Sequence, residues 1–166
     1  MTPLSIIGFP LITLIFITLL YRELKRAIHQ TSWPTERKQK IATRLLIGFV
    51  VWAIAISAAS ASGFTSRFEL FPSNAMPVIL LPLVIILVLL FSKNMKEILP
   101  HISLKVITQL QVFRVFVELV LWMLFLQNLL PIQMTFEGLN WDVLTGLTAL
   151  LVARFLLDSK PWLVVW

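Results

Sequence analysis

Residues 1–21 carry no charged side chain, and the first ionic group is Arg22. Predominantly apolar runs of similar length recur at about 42–63, 77–92, 104–130 and 141–158. A helix rising 1.5 Å per residue needs about 20 apolar residues to cross a hydrocarbon core of about 30 Å. The pattern therefore predicts an all-α fold, a polytopic transmembrane helical bundle of about five spans, forming one domain over residues 1–166. Composition agrees: 58% of residues are hydrophobic and 13% charged, with a mean hydropathy of +0.91, whereas soluble domains sit near about 45–50% and 25%. The uncharged start reverses the order of a secretory signal, so residues 3–21 read as a retained span. Gly8 and Pro10 predict a kink and an irregular outer end in it.

Charge placement orients the bundle. Between Tyr21 and Arg44 stand Arg22, Lys25, Arg26, Arg37, Lys38, Lys40 and Arg44 against Glu23 and Glu36, which makes 22–41 a basic cytoplasmic loop. Lys and Arg in successive connections number seven, one, three, none and two, an alternation that places the N-terminus outside. The net charge of +6 is thus explained by topology and by anionic lipid headgroups at 22–44, and nucleic acid is not an expected partner. Leu20, Leu24, Ala27 and Ile28 recur at helical spacing, so the first helix continues along the headgroups before Pro34 separates it from the second.

The fourth run, Val106–Pro131, carries Arg114 and Glu118 near its middle. At about 100° per residue Gln111, Arg114, Glu118 and Trp122 fall within about 80° of one another. A charge at a helix centre costs roughly 2.5–3.5 kcal/mol on insertion scales, so this face turns to protein or water. An i, i+4 pair between Arg114 and Glu118 relieves part of that cost. Two readings remain open: an ion pair that fixes how the fourth and fifth helices pack, and a polar binding or proton-transfer site.

Ser103 is placed to cap the fourth helix, and Asn128 and Pro131 to end it. In the outer loop after it, Glu137 and Gly138 predict a turn. Asn140 is a candidate cap for the fifth helix, and Asp142 complements the dipole of its first turn. Glu137, Asn140 and Asp142 offer three oxygen groups, too few for a hard-cation site, which needs about six. Arg154 and Asp158 form an expected ion pair at the inner end. Ala55, Ala59 and Gly63, and again Thr145, Ala149 and Ala153, fall four apart and predict close helix packing.

The run FRVFVELVLW (Phe113–Trp122), followed by PIQMTFEGLNWDVLTGLTALLVARF (Pro131–Phe155), resembles an uncharacterised family of bacterial multi-pass membrane proteins. That group pairs an FR-to-E-to-LW helix with a QMTFEG loop and a D-x-LTGLTA helix. The resemblance covers about the last third of the chain and implies an integral membrane fold of unknown role; for a bacterial chain of apolar helices the expected location is the inner membrane. The resemblance also implies one further hydrophobic segment, which the apolar restart Trp162–Trp166 would begin.

With no Cys, two His in separate loops, no phosphate-binding glycine loop, no Ser-His-Asp order and no HExxH, no catalytic residue, metal or cofactor is expected. The first functional expectation is a non-enzymatic membrane component acting through helix–helix association with itself or with other membrane proteins. The alternative is a small carrier or proton-coupled transporter using Arg114 and Glu118, and a membrane-embedded lipid-modifying enzyme stands third.

Overall fold

The structure, a computed structural model, describes residues 3–64, 67, 69, 73 and 76–156. Its helices are α1 (Pro3–Gln30), α2 (Thr35–Ala61), α3 (Met76–Leu90), α4 (Lys93–Ile98), α5 (Leu104–Leu110), α6 (Phe113–Leu126) and α7 (Asp142–Leu151). Short 3-10 turns occupy Leu99–His101, Ile132–Met134 and Phe136–Gly138, and a π-helical turn spans Val152–Leu156. Among the described residues there is no strand, in line with an all-helical chain.

Among the described residues, three helices are long and apolar enough to cross a membrane: Ile7–Gln30, Thr35–Ala61 and Leu104–Leu126, the last comprising α5 and α6. Met76–Leu90 and Lys93–His101, bent by 67°, make a fourth if the pair is one span. The boundaries differ from expectation in several places. Residues 22–30 continue α1 and 35–41 begin α2, so only Thr31–Pro34 of the expected loop lies outside helix. α1 is helical from Pro3 through Pro10, without the irregular outer end. The segment expected at 141–158 is the ten residues of α7 plus the five of the π turn, with 157 and 158 outside the described residues.

Helix ends follow local chemistry. Ser103 caps α5 by accepting from Val106 N–H at 3.3 Å, and its own N–H donates to the Glu23 carboxylate at 2.8 Å. α6 closes in a Schellman motif: Asn128 adopts φ +58°, its N–H donates to Phe125 C=O at 2.8 Å, and Leu129 N–H donates to Leu124 C=O at 3.0 Å. Gly63, at φ +72°, terminates α2 instead of extending a packing face with Ala55 and Ala59.

The chain divides into two compact units, residues 24–102 and residues 1–23 with 103–166. In the first, the end of α1, the start of α2 and α4 bury Ala27, Ile28, Trp33, Ala42 and Ile98. The Trp33 indole N–H donates to the Glu97 carboxylate. Arg37 stacks over the Trp33 ring at 4.2 Å, donates to Asn94 Oδ1 at 2.8 Å and lies 3.9 Å from Glu97. Lys38 donates to the His29 carbonyl at the end of α1, at 3.0 Å, satisfying a terminal carbonyl that the helix itself leaves open.

In the second unit α1 runs antiparallel to α6. A Cβ on Gly8 would lie 2.7 Å from Val120, and the Phe16 and Phe113 rings are 4.6 Å apart between centroids. α7 lies against α6 through Gly146, where a Cβ would come 3.0 Å from the Val115 backbone nitrogen. Ala149, Val152 and Ala153 are buried. Gly146, rather than the expected Thr145, therefore supplies the close approach.

Candidate functional site

α5 and α6 make a helix of 23 residues, roughly 34 Å at 1.5 Å per residue. Arg114 stands 10 residues (114 − 104) and Glu118 14 residues (118 − 104) from Leu104, and these positions bracket the middle of the helix. Between α5 and α6 the bonding tightens to i→i−3, from Gln111 N to Thr108 O at 3.1 Å and from Val112 N to Gln109 O at 3.1 Å. Arg114 N to Gln111 O and Val115 N to Val112 O, both at 3.0 Å, continue the pattern. Overwinding there brings Gln111 under Arg114, whose Nε donates to Gln111 Oε1 at 3.1 Å.

The expected pair between Arg114 and Glu118 is not formed. Arg114 Nη1 instead donates to Asp142 Oδ1 at 2.7 Å, across to the first turn of α7. Glu118, 2% exposed, accepts from the Asn140 carboxamide N–H at Oε1. Trp122 Nε1 donates to Glu137 Oε1 at 2.7 Å, with its ring 5.8 Å from that of Phe136. The stripe at 114, 118 and 122 thus meets 142, 140 and 137 in reverse order, a ladder of three rungs. The α6 stripe and the polar cluster after it, separate sets by sequence spacing, are one constellation.

What brings them together is the return of residues 127–141 along α6. Irregular backbone at the depth of a span is tolerated only when its polar groups are satisfied or covered by protein. Thr135, 0% exposed, anchors this segment. Its N–H and hydroxyl both donate to Ile132 C=O at 2.9 Å, and its own C=O accepts from Gly138 N–H at 2.9 Å and Asn140 N–H at 3.2 Å. A Cβ at Gly138 would fall 2.1 Å from Ile132 O, so glycine lets the two 3-10 turns stack. Leu139 takes φ +70° to finish the reversal.

Asn140 is not the N-cap of α7. Trp141 holds that position with no side-chain cap bond, and Asn140 Oδ1 accepts weakly from Asp142 N–H at 3.4 Å. The carboxamide is turned chiefly toward Glu118, with Met134 C=O at 3.5 Å from its nitrogen. Glu118 Oε2 is buried and has no hydrogen-bond partner among the described residues. Of the inner-end pair, Asp158 lies outside the described residues, and Arg154 stands over the Phe155 ring at 5.6 Å. Among the described residues no three His, Cys, Asp or Glu side chains are grouped to hold a metal. Chemically the ladder joins one ion pair, one carboxyl–amide bond and one indole–carboxyl bond; it binds α6 to the chain that follows it.

Spacing within α6 does not reveal Thr135 and Gly146. Their signal is residue type, a small hydroxyl residue in a turn and a glycine within a helix. No family model, curated protein or solved structure matches the chain.

Proposed function

We propose that this chain is a five-span protein of the bacterial inner membrane, N-terminus outside, that acts through helix–helix association with itself or with partner membrane chains and not through catalysis. The observation that carries this reading is the internal commitment of the ionisable stripe: Arg114, Glu118 and Trp122 are each bonded to a residue of the segment that follows α6. Groups consumed in holding helices together leave the face of another helix as the means of meeting a partner. α2 offers one: Ala53, Ile54, Ser57, Ala58 and Ala61 line a shallow open groove along a single helix. Ala53, Ser57 and Ala61 recur every four residues, the spacing that lets backbones approach closely in lipid.

The directions of the helices are in keeping with this topology. α1 antiparallel to α6 is what the first and fourth of five alternating spans require. The contact of the two basic segments around Trp33 and Glu97 suits their placement on one side of the membrane. The inner-membrane location rests on the apolar helical spans together with the resemblance of the last third of the chain to bacterial membrane proteins.

The chain has no native cysteine, so a single cysteine reports its own surroundings. Ser57→Cys is expected to form disulfide-linked species in native membranes, and Ala58→Leu in that background to reduce them several-fold. Equal cross-linking with and without Ala58→Leu removes the α2 face from the reading.

A second reading, a small carrier or proton-coupled transporter, draws on the unpartnered Glu118 Oε2, since ionisable groups inside spans often mark pathways. Loss of proton or solute flux in Glu118→Gln vesicles, with folding intact, would favour it over association.

A further inference from the structure

We propose that the start of α2 and α4 form a composite site for the headgroup phosphates of anionic lipids, built by clamping two basic segments that lie some 50 residues apart in the chain. On α2, Arg37, Lys40 and Arg44 fall within about 60° of one another at 100° per residue, and all three are exposed. On α4, Lys93 and Lys96 are exposed. Lys40, Arg44, Lys93 and Lys96 have no ion-pair partner among the described residues.

The clamp is the group around Trp33. Its indole N–H is bonded to Glu97, and Arg37 is stacked on its ring while donating to Asn94. Arg37 and Glu97 thereby engage one another, while the lysines on either side stay free, so the contact concentrates unneutralised positive charge. Both segments adjoin apolar runs. Arg44 is followed by the exposed Leu46, Ile47, Val50 and Val51, and Lys93 is preceded by the exposed Val88, Leu90 and Phe91. Cations at the ends of lipid-facing runs lie at headgroup level, where phosphate is the available anion. A purely topogenic role for these charges asks nothing of contact between the two segments. A shared phosphate site does.

The test uses the full chain in neutral detergent micelles doped with phosphatidylglycerol or phosphatidylcholine, with bound lipid read by native mass spectrometry. Each cation near the surface is worth about fivefold in affinity, so Lys93→Gln with Lys96→Gln, and separately Lys40→Gln with Arg44→Gln, should each lower phosphatidylglycerol retention about thirtyfold. Trp33→Phe removes the indole donor, and Arg37→Lys the stacked fork, without changing net charge; each is expected to lower retention about fivefold. Arg37→Lys decides the matter if Trp33→Phe fails to fold.

Full retention in the correctly folded charge-preserving variants overturns the composite site, because the segments then act separately. Retention of phosphatidylcholine equal to phosphatidylglycerol overturns the anionic preference. Release of phosphatidylglycerol by millimolar inorganic phosphate overturns the lipid as ligand and assigns the site to free phosphate.

Discussion

Replacing Asn140 by Leu removes the side-chain partner of Glu118 Oε1 from a carboxyl group that is 2% exposed and whose Oε2 has no hydrogen-bond partner among the described residues. Hydrogen bonds to charged groups contribute about 1.5–3 kcal/mol in water-soluble proteins. Inter-helix hydrogen bonds in membranes average about 0.6 and reach about 1.7, because the unfolded chain in lipid also finds partners. Burial of Glu118 puts this bond at the upper end of the membrane range. Asn140→Leu should therefore cost about 2 kcal/mol, the weak Asp142 N–H contact at 3.4 Å adding little. Glu118→Leu removes both carboxyl oxygens and leaves the Asn140 amide near Met134 C=O, a smaller loss of about 1 kcal/mol or less. With both groups apolar the desolvation cost is gone, and the double variant should lie near the native stability. The assay is reversible unfolding of all four proteins in mixed micelles, read as a double-mutant cycle with an expected coupling of about 2–3 kcal/mol. Single effects that add to the double effect within about 0.5 kcal/mol refute the rung.

Three further substitutions probe the segment that carries the ladder. Gly138→Ala drives a Cβ into Ile132 O and Gln133 Cα, backbone atoms at 2.1 and 2.5 Å, and should cost about 3 kcal/mol by the same unfolding assay. Leu139→Gly should stabilise by about 0.5–1 kcal/mol, since a left-handed residue costs roughly 1–2 kcal/mol and glycine returns part of that as unfolded-chain entropy; the side chain lost is 70% exposed. Gly146→Ala should cost about 1–2 kcal/mol by pushing α7 off the Val115 backbone, and should slow disulfide formation between cysteines placed at Arg114 and Asp142.

The helical character of the chain was legible because solvent decides it: long apolar runs admit few other forms. Ser103 as a cap, and the continuation of α1 past Tyr21 from the spacing of Leu20, Leu24, Ala27 and Ile28, followed from rules that act within one or two turns; that Ala27 and Ile28 are buried against protein did not. The polar stripe was legible as a face, yet its partners were not. A helical wheel compares residues on one helix, so it favoured Arg114 with Glu118, whereas Asp142 approaches from 28 residues away. That approach depends on the double 3-10 reversal at 132–138, which depends in turn on the space Gly138 leaves. The sequence marks Gly138 as a turn residue without saying that the next position, Leu139, takes the positive φ. The Trp33 clamp was hidden for the same reason, since Glu97 is 64 residues from Trp33.

The reversed order of the rungs sets a timetable for the growing chain. Trp122 precedes Glu137 by 15 residues, Glu118 precedes Asn140 by 22, and Arg114 precedes Asp142 by 28. At about 5–20 residues per second, Arg114 is synthesised about 1–6 s before its partner exists. The ladder can close only from its distal end, Trp122 first and Arg114 last. If α6 enters a bilayer as it is made, it carries an unneutralised guanidinium during that interval, which the insertion machinery would have to shelter until α7 begins. A stalled chain ending before Asn140 should hold α6 beside the insertion channel, and one extended well past Asp142 should release it.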